Sequence, residues 1–190
     1  MEEDFYRVEK VLENGGVGVL PTDTLYGLVG SALSPKAVER IYRLKKRDPK
    51  KPLIILINSL ADLKSFKIKI GLKTRRILAK YWPGKTSIIL PCPSEEFNYL
   101  HRGGRTLAFR LPDKKDLQDL LKKTGPLVAP TANPEGLEPA KTIKEARAYF
   151  GDQVDFYLNQ GRLDSSPSTL IALKRGKVVV KRAGPVKISG

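Results

Sequence analysis

Apolar runs of strand length alternate along this chain with stretches of helical period, and that alternation restricts it to an α/β fold. The clearest run is Leu53 to Ile57, a continuous apolar segment that suits a strand buried on both faces of a mixed or parallel sheet. Val17 to Leu20, Ser87 to Leu90, Leu107 to Leu111, Leu127 to Ala129, Asp155 to Leu158, Thr169 to Ala172 and Val178 to Lys181 read as further strands. Between them, Glu3 to Glu13 carries Phe5, Val8 and Leu12 on one helical face and stops at Asn14-Gly15-Gly16. Ser34-Pro35 supplies an N-cap and a first-turn proline for a helix through Val38, Ile41, Tyr42 and Lys45. Ser59 caps a short helix, and Leu72 to Trp82 and Lys114 to Lys123 have helical period. Thr142 with Glu145 makes a capping box for a helix ending near Phe150. Pro91 to Gly104 reads as irregular. No repeat or linker interrupts the series, so the sequence predicts one domain over residues 1–190, a twisted mixed sheet flanked by helices.

Composition narrows the function. The apolar runs are too short to span a bilayer, and the acidic start MEEDFYRVEK lacks a signal-peptide core, which predicts a cytoplasmic protein with no membrane partner. One cysteine, Cys92, excludes an intramolecular disulfide. With His101 as the single histidine, neither a Ser-His-Asp triad nor a Cys/His zinc set can be assembled. A net charge of +15 points instead to polyanionic partners, either nucleic acid or nucleotide phosphates.

Five segments could carry chemistry. In VGVLPTDTLYGL, a strand stops at Pro21 and presents Thr22, Asp23, Thr24 and Tyr26, the arrangement by which open α/β sheets bind ligands at strand ends. Arg43 to Lys51 holds six cations against the lone Asp48, with Pro49 and Pro52 keeping the segment extended. PLVAPTANPEG repeats the first pattern, delivering Thr131 and Asn133 after a strand and a proline. In TLAFRLP, Thr106, Ala108 and Arg110 share one face of a strand. Ser168-Thr169 opens one late strand and Arg182 closes the next. Gly84-Lys85-Thr86 mimics the end of a P-loop, yet the required earlier glycine is Ala79, so a nucleotide site here is of another kind.

Taken together and in order, these segments resemble the YrdC-like family, and most closely its threonylcarbamoyl-AMP synthases. The match rests on PTDTLYGL at Pro21 to Leu28, Lys45-x-Arg47 with Pro52-Leu53, Trp82-Pro83-Gly84, and Arg110-Leu111-Pro112. PTANPEG stands in place of P-S-A-N-x-S-G, followed by Ser168-Thr169 and Arg182-Ala183-Gly184. The resemblance implies a YrdC-like fold with a concave basic cavity, and a reaction joining L-threonine, bicarbonate or carbon dioxide, and ATP into threonylcarbamoyl-adenylate and pyrophosphate. It implies that Thr24, Arg110, Ala129 and Ser168 contact threonine, that Arg47, Lys51, Thr106, Thr131, Asn133 and Arg182 hold ATP, and that Lys45 and Arg47 are catalytic. Magnesium would arrive as Mg2+ on the ATP phosphates, with no protein metal site. Implied further partners are a downstream threonylcarbamoyl-transferase complex and tRNA or double-stranded RNA, the product serving tRNA modification.

This chain departs from the family pattern at Thr131 for serine, at Lys85-Thr86-Ser87 after the Trp-Pro-Gly, at Lys51 for asparagine, at Ala140 near a common serine, and at Leu56 for a histidine of longer members. Ending at Gly190, it resembles the short form. Two other readings stay open on sequence alone: a non-catalytic RNA-binding relative, and an enzyme making a different carbamoyl-adenylate.

Overall fold

The computed structural model describes residues 2–174 and 177–188. Helix α1 (Glu2–Glu13) leads into a hairpin of β1 (Val17–Pro21) and β2 (Tyr26–Ser31), followed by α2 (Pro35–Lys45) and β3 (Ile54–Leu56). A 3₁₀ helix (Leu60–Phe66), α3 (Leu72–Leu78), β4 (Thr86–Pro91), α4 (Asn98–His101) and β5 (Thr106–Arg110) form the middle of the chain. Helix α5 (Lys115–Thr124), β6 (Leu127–Val128), α6 (Ile143–Phe150), β7 (Phe156–Tyr157), β8 (Thr169–Lys174) and β9 (Lys177–Arg182) complete it.

All nine strands form one mixed sheet in the order β7-β1-β2-β6-β3-β5-β4-β8-β9. The pairs β1/β7, β3/β5 and β4/β8 are parallel and the other five antiparallel. Side chains alternate across a strand, and the core divides accordingly. Val17, Val19, Leu28, Ile55 and Val128 face a cluster with Val38, Ile41, Phe66, Phe109 and Phe150. Their neighbours Leu20, Val29, Leu56 and Leu127 face the other side, under Val8 and Leu12 of α1 and Leu117, Leu120 and Leu121 of α5.

The three expected N-caps form, but the capping box at Thr142 does not close. Ser34 accepts from the Ala37 amide to open α2, and Ser59 and Asp62 make a reciprocal capping box. Thr142 accepts from the Glu145 amide, but the Glu145 carboxylate accepts from the Lys141 amide instead of closing the box.

Three expectations are corrected, and one strand the sequence does not announce is added. That strand is Tyr26 to Ser31; its glycines hide the alternation, and pairing with β1 and β6 supplies what local propensity does not. Within it Gly30 serves close packing: an added Cβ would meet Ile41, Val17 and Ala37 at 3.2–3.3 Å. Helix α3 stops at Leu78 instead of Trp82, and Pro91 to Gly104 contains α4. Finally, Arg43 to Lys51 is not extended. Lys46 closes α2 in the left-handed region (φ 49°), and the Lys51 amide donates to the Asp48 carbonyl in a turn.

Candidate active site

Residues from β2, β3, β5, β8, β9 and the turn after β6 line one cavity of about 150 Å³. Strands as far apart in the sheet order as β2 and β9 reach it, which requires the sheet to curl. A volume this far below the roughly 300–1,000 Å³ of drug-sized sites accommodates a small polar molecule. A nucleotide would have to extend outward across the mouth.

The deep end is built around Arg110, at the end of β5 and 3% exposed. Its Nη1 donates to Thr24 Oγ1 at 3.2 Å, and its Nη2 lies 3.2 Å from Asp23 Oδ1. That ion pair is poorly aligned: neither Asp23 oxygen and not Arg110 Nε has a hydrogen-bond partner among the described residues. Burial lowers the Arg110 pKa, Asp23 opposes the shift, and Arg182 adds to it. Thr24 is held in turn by Thr22, whose hydroxyl lies 3.1 Å from Thr24 Oγ1, donates to the Leu25 carbonyl and accepts from the Thr24 amide. The two threonines and Asp23 thus form the tip of the β1–β2 hairpin.

Arg47 and Arg182 form the mouth. Arg47 Nε donates to the Lys51 carbonyl at 3.0 Å and Nη2 to the Pro52 carbonyl at 3.1 Å, so backbone acceptors aim the guanidinium. Arg182 bonds the Ser168 carbonyl through Nε and Nη2 at 3.2 and 2.9 Å. Its pKa is lowered by burial and then by Arg47, the mark of two like charges facing a common space. Ser168 Oγ lies 2.8 Å from Ser87 Oγ. An added Cβ on Gly184 would stand 2.4 Å from the Thr169 nitrogen, so only glycine lets the chain after Arg182 lie against this segment.

Lys45 plays a different part. It is 2% exposed and its Nζ donates to the carbonyls of Thr131 and Asn133, both at 2.6 Å, with Asn133 Oδ1 at 3.3 Å. Burial and then Arg47 push its pKa down to about 7, against the pull of Glu135. Asn133 is a strut as well, accepting from Thr131 Oγ1 at 2.6 Å and donating to the Pro134 and Leu137 carbonyls.

Of the eleven residues to which the family resemblance gives a binding or catalytic role, seven line the cavity: Thr24, Arg47, Arg110, Ala129, Thr131, Ser168 and Arg182. Lys45 and Asn133 stand behind it as supports. Lys51 is turned to Glu135, and Thr106, two residues before Ala108 on the same strand, lies outside the lining. Sequence reasoning passed over Ser87 and Glu135 and assigned Asp23 no role. The burial of Ser87 and Asp23 depends on partners more than eighty residues away, which no local pattern signals. Among the described residues no three His, Cys, Asp or Glu side chains stand together as a metal site, and no helix is long and apolar enough to cross a membrane.

A polar cavity at the heart of a curled mixed sheet, with a buried arginine at its floor and two more at its mouth, defines an α/β protein whose site is suited to a small anion. The chain belongs to the Sua5/YciO/YrdC family, whose description is "Telomere recombination" and whose pattern matches residues 10–184. The threonylcarbamoyl-AMP synthase of Thiobacillus denitrificans is 33% identical over 175 residues, 88% of this chain and 90% of that protein. E. coli YciO superposes with a TM-score of 0.86 at 25% identity, covering 98% of this chain and 92% of YciO. P. abyssi Sua5 complexed with L-threonine superposes with a TM-score of 0.88 at 28% identity, covering 97% of this chain. The chain spans about half of that protein, 55%.

Proposed function

We propose that this chain is a threonylcarbamoyl-AMP synthase, acting on L-threonine, bicarbonate or carbon dioxide, and magnesium-bound ATP. The observation that carries the reading is the continuity of one cavity from Arg110, beside Thr24, Ala129 and Ser168, to the paired arginines Arg47 and Arg182. A buried guanidinium at the floor suits the threonine carboxylate, and a cationic mouth suits a triphosphate too large for the floor. Relatives with the same fold bear the synthase name or bind L-threonine, which supports the assignment.

In this reading the threonine amine takes up carbon dioxide as a carbamate, losing a proton. A carbamate oxygen attacks the α-phosphorus of ATP and pyrophosphate leaves. Two anions must be brought together, so positioning and cationic stabilisation supply the catalysis, with no covalent nucleophile. Arg47 and Arg182 stabilise charge on the phosphates, Arg110 and Thr24 fix the amino acid, and Lys45 holds the Thr131–Asn133 loop in register. Lys51 and Thr106 lie outside the lining and would reach only parts of the nucleotide beyond it. The magnesium belongs to the substrate. The product would enter tRNA threonylcarbamoyladenosine modification in the cytoplasm.

The test is pyrophosphate release from ATP and bicarbonate with L-threonine, serine or valine. The expected result is release that requires threonine, with Arg110→Ala raising the threonine requirement and Arg47→Ala or Arg182→Ala the ATP requirement. No release with any amino acid, alongside tight salt-sensitive RNA binding, would replace the synthase reading with a non-catalytic RNA binder.

A further inference from the structure

Glu135 lies outside the cavity lining, bonded to the turn that carries Arg47 and within that arginine's field. Its Oε1 accepts from Lys51 Nζ at 2.6 Å and its Oε2 from the Asp48 amide at 2.6 Å, while its own amide donates to the Lys45 carbonyl at 2.6 Å. It thereby ties the turn after α2 to the loop after β6, the two segments that supply Arg47 and Thr131 to the cavity. A side-chain ammonium and a backbone amide aimed at one pair of oxygens form the donor set with which proteins hold phosphate. The carboxylate is only 27% exposed, whereas Lys51 is 56% exposed and free to swing. The chain thus carries an anion of its own on Lys51, beside the turn that supplies Arg47.

We infer that the Glu135 carboxylate occupies the place of the nucleotide's outer phosphates in the free protein and surrenders Lys51 and the Asp48 amide to them on binding. The inference rests on the ATP site proposed above and adds a self-competing counter-ion to it. Two consequences separate it from simple stapling. The neutral, isosteric substitution Glu135→Gln keeps an acceptor for the Asp48 amide while freeing Lys51, so it favours an incoming polyphosphate. A ligand that lacks the outer phosphates gains nothing from the change.

The experiment compares pyrophosphate, ATP and AMP binding by titration calorimetry for the wild type, Glu135→Gln, Lys51→Ala and the double variant, at low and high salt. The expected result is that Glu135→Gln binds pyrophosphate and ATP about three- to fivefold more tightly at low salt, the size of one exposed ion pair. AMP affinity stays constant, and the gain disappears in the Lys51→Ala background and at high salt. Unchanged or weaker pyrophosphate binding by Glu135→Gln would overturn the inference and leave Glu135 as a staple. An equal gain for AMP, or a gain that survives Lys51→Ala, would overturn it too. Tighter pyrophosphate binding without threonine-dependent turnover in any variant would uphold the inference and remove the synthase reading instead.

Discussion

The two proline-stopped loops that meet at the cavity look alike in sequence and are held in opposite ways. The tip of the β1–β2 hairpin is stitched by its own residues, chiefly the Thr22 hydroxyl bonded to Thr24 and Leu25 within three positions. The loop after β6 is clamped by Lys45, 86 residues earlier in the chain. They touch where Gly27 bridges Thr131 and where the Leu28 amide donates to the Pro130 carbonyl. A locally stitched loop forms with its hairpin, whereas a clamped loop exists only once the fold is complete. The geometry of the cavity then inherits the weaker of the two.

The contrast can be broken at several points. Asp23→Asn should have the largest effect: it removes the counter-charge of a buried arginine, and a loss of about 3 kcal/mol in denaturant unfolding is expected. On the proposed synthase reading, the same variant should raise the threonine KM more than the ATP KM. Lys45→Met removes the ammonium that three oxygens of the second loop share and leaves the buried Asn133 carbonyl without its donor, for an expected loss of roughly 2 kcal/mol. Its effect on turnover should exceed its effect on stability, about 100-fold, because the loop shifts while the hairpin stays. Equal hydrogen-exchange protection lost in both loops would show them to be one unit and end the contrast.

Lys45 also predicts a pH dependence. Its folded pKa, about 7, lies below the ordinary lysine value, so across that interval the unfolded chain binds a proton that the folded chain has released. Stability should therefore rise with pH from about 7 toward 10, with a slope of one proton, and Lys45→Met should lack that slope. A wild type and variant with parallel pH profiles would contradict it. Thr22→Val should cost about 1 kcal/mol, confined to exchange at the hairpin tip. The smallest effect belongs to Thr131→Ser, which keeps the hydroxyl that donates to Asn133 and should stay within about 0.5 kcal/mol of the wild type.

The same two loops show what the sequence makes legible. Pro-Thr-Asp-Thr advertises its turn because the hydroxyls act on neighbouring amides, an encoding of short range. The strand that follows it, Tyr-Gly-Leu-Val-Gly-Ser, is hidden because glycines replace the side chains that would show alternation. Face sharing along β5 sets Ala108 beside Arg110 in the cavity, while Thr106, two residues earlier on the strand, lies beyond the lining. Lys45 is legible as a cation near a phosphate site but not as a clamp, since that role depends on where a loop 86 residues away comes to rest. Resemblance to a family supplies what periodicity cannot, namely which of many polar residues converge. Glu135 escapes both routes, being local to no cap and given no role by the resemblance.

The sheet order bears on how the site comes into being during synthesis. The cavity needs Thr24 from the first hairpin and Ser168 and Arg182 from the last one, and β8 joins the rest of the sheet only through β4. While the chain emerges from the ribosome, every element up to β7 can be present with the floor of the cavity made and one wall missing. A ligand that needs both walls gains its full contacts only once the last hairpin has joined the sheet. Chains at that earlier stage carry β4 as an open edge until the final hairpin arrives, and that interval is when the nascent chain most needs protection from pairing with another copy.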